Sequence, residues 1–326
     1  MAGRAKVLIT DHTWAAVDVE RRILAEVGAE VVDAPSGDEA VLVSLARDVV
    51  GILTCFAKTT GKVIEAAPDL RIVARYGVGV DNIDVATATR RGIPVTNVPD
   101  YCVEEVSDHA LALILAAMRK VASYDRAIRA GRWDLKVGRP MHRLRGRTLG
   151  IVGLGRIGTR LAEKALALGL RVLANDPGVS PARAEALGAG MVSLTDLLTE
   201  ADAVSLHVPL TPQTRHLIGA AELARMKAEA ILVNTARGDL VDLDALREAL
   251  AAGRIAGAAL DVLPQEPPDP NDPLLRMENV ILTPHAAFYS EESLVELQTK
   301  AAQEVARCLR GEPLRSVFNP EVLAPR

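Results

Sequence analysis

A glycine turn, Gly153-Leu154-Gly155-Arg156-Ile157-Gly158, stands between an apolar run and a helical pattern, and that order restricts the fold more than any other part of the chain. Ahead of it, 148–152 reads as a short buried strand. Behind it, Leu161, Ala165 and Leu168 recur at helical spacing until Gly169 closes the helix. A second apolar run, 171–175, ends in Asp176, about 20 residues beyond the first glycine, the spacing at which an acid reaches an adenosine ribose. Gly153 permits the tight turn, Gly155 lets a pyrophosphate approach the backbone, and Gly158 lets helix and strand pack closely. The helix start at Arg156-Ile157 offers N–H groups and the positive end of its dipole. The pattern predicts a dinucleotide site on Gly153, Gly155, Arg156, Ile157, Gly158 and Asp176. A carboxylate at 176 accepts from ribose hydroxyls and repels a 2′-phosphate, and Pro177 follows it rather than arginine, so the expected cofactor is NAD.

A chain of 326 residues exceeds what one core usually carries, so two domains are expected. Hydrophobic residues make up 49% and aromatics only 3%, so alanine, valine and leucine fill the interior, which suits buried parallel strands. The net charge of −4 argues against nucleic acid or an anionic membrane as partner. The basic run 139–147 is interrupted by Leu144 and Gly146 and reads as a solvated loop. No stretch is apolar enough to span a membrane, and Met1-Ala2-Gly3-Arg4 enters a strand without a signal-peptide core. Cys55, Cys102 and Cys308 are odd in number and lack metal-ligand spacing. Reduced thiols in the cytoplasm are therefore expected, and no metal site.

Strands are predicted at 6–10, 31–33, 49–55, 71–75 and 94–98, with helices at 20–27, 36–47, 62–67 and 85–91. This alternation implies a parallel sheet covered on both faces. Residues 102–130 read as one long alanine-rich helical connector. Six further strands follow at 148–153, 171–176, 203–208, 230–236, 256–262 and 279–283, then a final helix at about 290–310. The fold class is α/β, with two doubly wound parallel-sheet domains.

Ligands in such sheets bind beyond the carboxyl ends of the strands. Arg237, Glu266 and His285 each follow one of the last three apolar runs. A guanidinium can grip a carboxylate with two parallel hydrogen bonds and polarise the adjoining carbonyl. An imidazolium can donate a proton to that oxygen, and a carboxylate on its other nitrogen favours the protonated form. The set supplies what hydride transfer between a nicotinamide and a 2-oxo acid requires.

Arg75-Tyr76-Gly77-Val78-Gly79-Val80-Asp81-Asn82-Ile83-Asp84, the glycine turn, Asn234-Thr235-Ala236-Arg237-Gly238, Asp261 through Glu266-Pro267, and Thr283-Pro284-His285 follow one another in order. The succession resembles the D-isomer-specific 2-hydroxyacid dehydrogenase family along essentially the whole chain. The resemblance implies catalytic roles for Arg237, Glu266 and His285, and cofactor contacts at His207, Val208, Pro209, Thr235, Ala236 and Asp261. It also implies that a Rossmann NAD domain, 102–288, is inserted into a flavodoxin-like substrate domain, 1–101 plus 289–326. The site would then lie in the cleft between them. By the same resemblance the substrate is a small 2-oxo or 2-hydroxy acid of D configuration. A homodimer through the NAD domain would use part of 102–145. The Gly77-Val78-Gly79 turn can offer N–H groups to the substrate carboxylate.

His285-Ala286-Ala287-Phe288 and 99–106 are similar to the branch of C-terminal binding proteins, which implies that Phe288 lines the substrate pocket. Tyr76, Val78, Gly79, Phe288 and Arg237 are thus the expected substrate contacts. Lys58, past the strand at 49–55, is a candidate cation for a second anionic group on the substrate. The resemblance leaves two alternatives beside a general 2-hydroxyacid dehydrogenase. One is phosphoglycerate dehydrogenase, here expected to lack an appended regulatory domain. The other is a corepressor-like protein that senses NAD(H).

Overall fold

The computed structural model describes residues 4–324, which fall into two compact units, 4–102 with 289–324, and 103–288. The chain begins with β1 (Ala5–Ile9), α1 (Asp18–Ala25), β2 (Ala29–Asp33), α2 (Glu39–Leu45), β3 (Gly51–Thr54), α3 (Gly61–Glu65), β4 (Ile72–Arg75), α4 (Val85–Arg90) and β5 (Val95–Thr96). The second unit follows with α5 (Val103–Met118), α6 (Val121–Arg129), β6 (Thr148–Val152), α7 (Arg156–Ala167), β7 (Arg171–Asn175), α8 (Pro181–Leu187), β8 (Gly190–Met191), α9 (Leu194–Glu200) and β9 (Ala203–Leu206). It closes with α10 (Ala220–Leu223), β10 (Ile231–Asn234), α11 (Leu243–Ala251), β11 (Gly257–Leu260) and β12 (Val280–Leu282), before α12 (Glu291–Arg310) returns to the first unit.

In the first unit five parallel strands run in the order β2-β1-β3-β4-β5, the flavodoxin-like arrangement. The central strands β3 and β4 are buried along their whole lengths, as a helix-covered parallel sheet requires. α12 packs on α1, β3 and β4, and its face of Leu294, Leu297, Ala301 and Val305 is buried. Ser290 caps its start by accepting from the Ser293 N–H at 2.9 Å, and Gly311, in the left-handed region, ends it.

The second unit carries a seven-stranded parallel sheet in the order β12-β11-β10-β9-β6-β7-β8. Six of its strands were expected. The seventh, β8, is a two-residue edge strand on β7, too short to leave a periodic signal. The connector at 102–130 is also corrected, because it is two helices. Lys120 has φ +57 and breaks the run between α5 and α6. α5 buries Ala110, Leu113, Ile114 and Ala117 in the core beside the sheet, whereas α6 buries only Ala127 and leaves Val121 and Ile128 exposed.

The parallel ladders bring the strand ends level. Asn175 pairs with Val152, Val152 with Leu206, Leu206 with Asn234, Asn234 with Leu260, and Leu260 with Leu282. Gly153, Asp176, His207, Thr235, Asp261 and Thr283 therefore stand in one row, each one step past its strand. Among the described residues no helix is long and apolar enough to cross a membrane, and no group of three or more histidine, cysteine, aspartate or glutamate side chains could hold a metal ion.

Leu297 is 1% exposed at the centre of the α12 contact. Leu297→Ala is expected to lower the unfolding free energy by about 2–5 kcal/mol, read as a lower midpoint in urea. A change below about 0.5 kcal/mol would mean that α12 contributes little to the first unit.

Candidate active site

The glycine turn is built by close backbone approach. Gly153 has φ +96, and a Cβ there would meet the His207 carbonyl at 2.7 Å, while one at Gly158 would stand 2.0 Å from the Gly153 oxygen. At Gly155 an added Cβ would meet nothing within 4 Å, so the turn presents bare backbone to open space. Arg156 and Ile157 start α7, whose first N–H groups have no carbonyl within the helix. Asp176 lies half-buried beside the turn. Its Oδ2 accepts from the Leu154 N–H and its Oδ1 from the Gly178 N–H, both at 2.8 Å, so the acid holds the turn as well as facing it.

Farther along the row, His207 Nε2 lies 2.8 Å from Ser205 Oγ, and burial pushes its imidazole down to about 4, leaving it neutral at physiological pH. Val208 and Pro209 follow it out of the sheet. Beyond β10, Asn234 Nδ2 donates to the Arg237 carbonyl at 2.8 Å and its Oδ1 accepts from the Ala236 N–H at 3.0 Å. Asn234 thereby folds the loop that carries Thr235, Ala236 and Arg237. The Thr235 hydroxyl is buried without a hydrogen-bond partner. An orphaned hydroxyl in this row, together with the open backbone at Gly155, fits a bound dinucleotide.

Three residues expected to act together meet in this unit. His285 Nδ1 lies 2.7 Å from Glu266 Oε2, and Glu266 Oε1 accepts from the Leu263 N–H at 2.9 Å. Burial alone would raise the Glu266 carboxyl. The His285 hydrogen bond and charge, the Leu263 N–H and the Arg237 charge outweigh it and hold the group below its ordinary range. Arg237 is half-buried and donates from Nη1 to the Ala236 carbonyl at 2.7 Å. Phe288 stands edge-on to His285, with ring centroids 6.2 Å apart. Glu266 and His285 also line a cavity of about 420 Å³, together with Asp261, Thr283, Leu263 and Leu282.

Asp261, expected to contact the cofactor, also anchors the histidine loop. Its carboxylate is closed off from solvent and engaged by the histidine loop. Oδ1 accepts from Thr283 Oγ1 at 2.5 Å and from the Ala286 N–H at 2.9 Å, and Oδ2 accepts from the Ala287 N–H at 2.9 Å. The Asp261 carbonyl accepts from the His285 N–H at 2.7 Å. These bonds surround a strained point, since His285 has φ +53, a left-handed conformation worth about 1–3 kcal/mol of strain in a residue with a side chain.

In the first unit the expected substrate contacts divide. Tyr76 is corrected to a core residue. It is 2% exposed, its hydroxyl donates to Glu20 Oε1 at 2.9 Å, and its ring meets Trp14 edge-on, so it walls no open pocket. Val78 and Gly79 lie in the loop after β4, with Val78 exposed. Lys58 is an exposed residue of the loop after β3. Sequence reading missed His109 on α5, whose Nε2 lies 2.9 Å from Thr283 Oγ1 across 174 residues of sequence. A half-buried histidine in an amphipathic helix carries no local signal of that contact.

A parallel doubly wound sheet with a glycine turn, an acid beside that turn, and a paired histidine and carboxylate at the strand ends points to a nicotinamide-dependent oxidoreductase. Residues 111–287 match the family model of the D-isomer specific 2-hydroxyacid dehydrogenase NAD-binding domain. The chain is 50% identical over 269 residues to glyoxylate reductase of Korarchaeum cryptofilum, covering 81% of each protein. It is 42% identical to D-3-phosphoglycerate dehydrogenase of Methanocaldococcus jannaschii, covering 96% of this chain and 59% of that relative's length. The structure of D-lactate dehydrogenase from Aquifex aeolicus, complexed with NAD and lactic acid, superposes with a TM-score of 0.86 at 28% identity, covering 98% of this chain and all of that one. The chain belongs to the D-isomer-specific 2-hydroxyacid dehydrogenase family. It is an NAD-dependent oxidoreductase that interconverts 2-oxo and 2-hydroxy acids.

Proposed function

We propose that Arg237, Glu266 and His285 carry the reaction, on the strength of the 2.7 Å pairing of His285 with Glu266 under the charge of Arg237. NADH supplies the hydride to the carbonyl carbon of the 2-oxo acid. Arg237 grips the substrate carboxylate and draws electron density from the carbonyl beside it. Glu266, ionised at neutral pH, accepts from His285 Nδ1 and so leaves Nε2–H as the donor. That proton passes to the substrate oxygen as the alcohol forms, and Nε2 takes it back in the oxidative direction. Phe288, edge-on to the imidazole, borders the substrate. Glyoxylate is the substrate class the similarity to glyoxylate reductases favours.

His285→Ala is expected to lower the rate of glyoxylate reduction by about 100- to 10,000-fold, with NADH binding retained. The effect of Glu266→Gln has a definite sign. The folded protein holds the Glu266 carboxyl low, so its charge is present at neutral pH beside His285 Nδ1. An amide removes that charge, and the high-pH limb of reduction should move to lower pH. An unshifted limb would overturn the pairing as a catalytic device.

We further propose that NAD(H) is preferred over NADP(H) because Asp176 faces the ribose. A charge-assisted hydrogen bond is worth about 1.5–3 kcal/mol, so Asp176→Ala should narrow the ratio of kcat/KM for the two cofactors by roughly 10- to 100-fold. Equal kcat/KM for NADPH and NADH in the wild type would overturn this reading. The same reading makes the protein a cytoplasmic homodimer through the second unit. Val121 and Ile128 on α6 are exposed, and Trp133 and Leu135 just beyond it are 89% and 74% exposed, more apolar surface than a lone helix usually leaves to water. Sedimentation at micromolar concentration should show twice the chain mass, and a monomer would refute the dimer.

A further inference from the structure

We propose that His109 is a positioning residue for His285, acting through Thr283 and Asp261; this rests on the catalytic role of His285 proposed above. Thr283 has one hydroxyl proton, and the 2.5 Å contact with the buried Asp261 carboxylate takes it. The Thr283 oxygen is then the acceptor in its 2.9 Å contact with His109, so His109 carries a proton on Nε2 and donates it. The direction of the chain is fixed from His109 Nε2–H to Thr283 Oγ–H to Asp261 Oδ1. His109 Nε2 also lies 3.6 Å from Asp261 Oδ1, too far for a second hydrogen bond, so the hydroxyl of Thr283 is the link between them.

The same carboxylate holds the Ala286 and Ala287 N–H groups, and the Asp261 carbonyl holds the His285 N–H. His285 therefore sits at φ +53 between anchors on both sides, and all of them lead back to Asp261. His109 lies on α5, which packs on β10 and β11, so its ring is set by the sheet itself. The helix thereby fixes the orientation of the Asp261 carboxylate through Thr283. Two-state freedom in the loop would turn the imidazole away from Glu266, and a misplacement of about 1 Å can cost 100-fold in rate.

The test compares His109→Leu, which keeps bulk and removes the donor, with His109→Gln, whose amide nitrogen reaches the place of Nε2. His109→Leu is expected to lower kcat for glyoxylate by about 10- to 100-fold, with the Kd for NADH, from quenching of protein fluorescence, within about twofold of wild type. His109→Gln should recover most of the loss. Thr283→Val should lower kcat similarly, and the double variant His109→Leu/Thr283→Val should lose little more than either single one, because both interrupt one chain. Equal losses in His109→Leu and His109→Gln, or additive losses in the double variant, would overturn the positioning role. His285→Ala, assayed alongside, separates the two readings. If it stays active, the catalytic assignment fails; if it is inactive while His109→Leu is normal, only the positioning role fails.

Discussion

The level ends of the parallel strands are the constraint on which the site depends. Parallel pairing fixes the register across six strands, and that register places Gly153, Asp176, His207, Thr235, Asp261 and Thr283 in one row. A slip of one residue in any ladder would send the next side chain to the opposite face and break the row. Burial prevents such a slip, because β6, β9, β10 and β11 are buried along their whole lengths and neither face is free to exchange. The chemistry is thus inherited from sheet packing before any loop adopts its shape.

Within that row Asp261 converts a packing feature into a chemical one. A buried carboxylate is costly unless its lone pairs are satisfied. Here the donors that satisfy it are the hydroxyl and amides of the loop bearing His285. The left-handed turn at His285 would relax if those donors let go, and the carboxylate would be stranded if the turn relaxed. Each stabilises the other, and this mutual hold steadies the imidazole in its pair with Glu266. Asp176 works in the same way on a smaller scale, since the acid after β7 also holds the glycine turn through Leu154.

Much of this was legible in the sequence, and the reasons for the exceptions are physical. The glycine turn, the acid after β7 and the residues past β10, β11 and β12 could be read because each is local to one strand end. β8 could not, because two residues give no period. The break at Lys120 was hidden because neither glycine nor proline marks it. Tyr76 was misread because an aromatic beside a glycine turn looks like a pocket wall, whereas its hydroxyl finds Glu20, 56 residues away. The contact of His109 with Thr283 spans 174 residues, and Asp261 meets Ala286 and Ala287 only after the sheet has formed. Long-range partners of this kind leave no trace in spacing.

The return of α12 to the first unit bears on the order in which the chain acquires its cores. Residues 103–288 are contiguous, so everything that unit needs is present once its last strand has been synthesised. The first unit is complete only when Leu297, Ala301 and Val305 have been made, for they cover β3, β4 and α1. Until then β3 and β4 lack their α12 cover, while the whole second unit is produced. The half of the molecule that leaves the ribosome first is therefore the half that finishes last, and its exposed apolar face is the stretch on which a chaperone has most to shield.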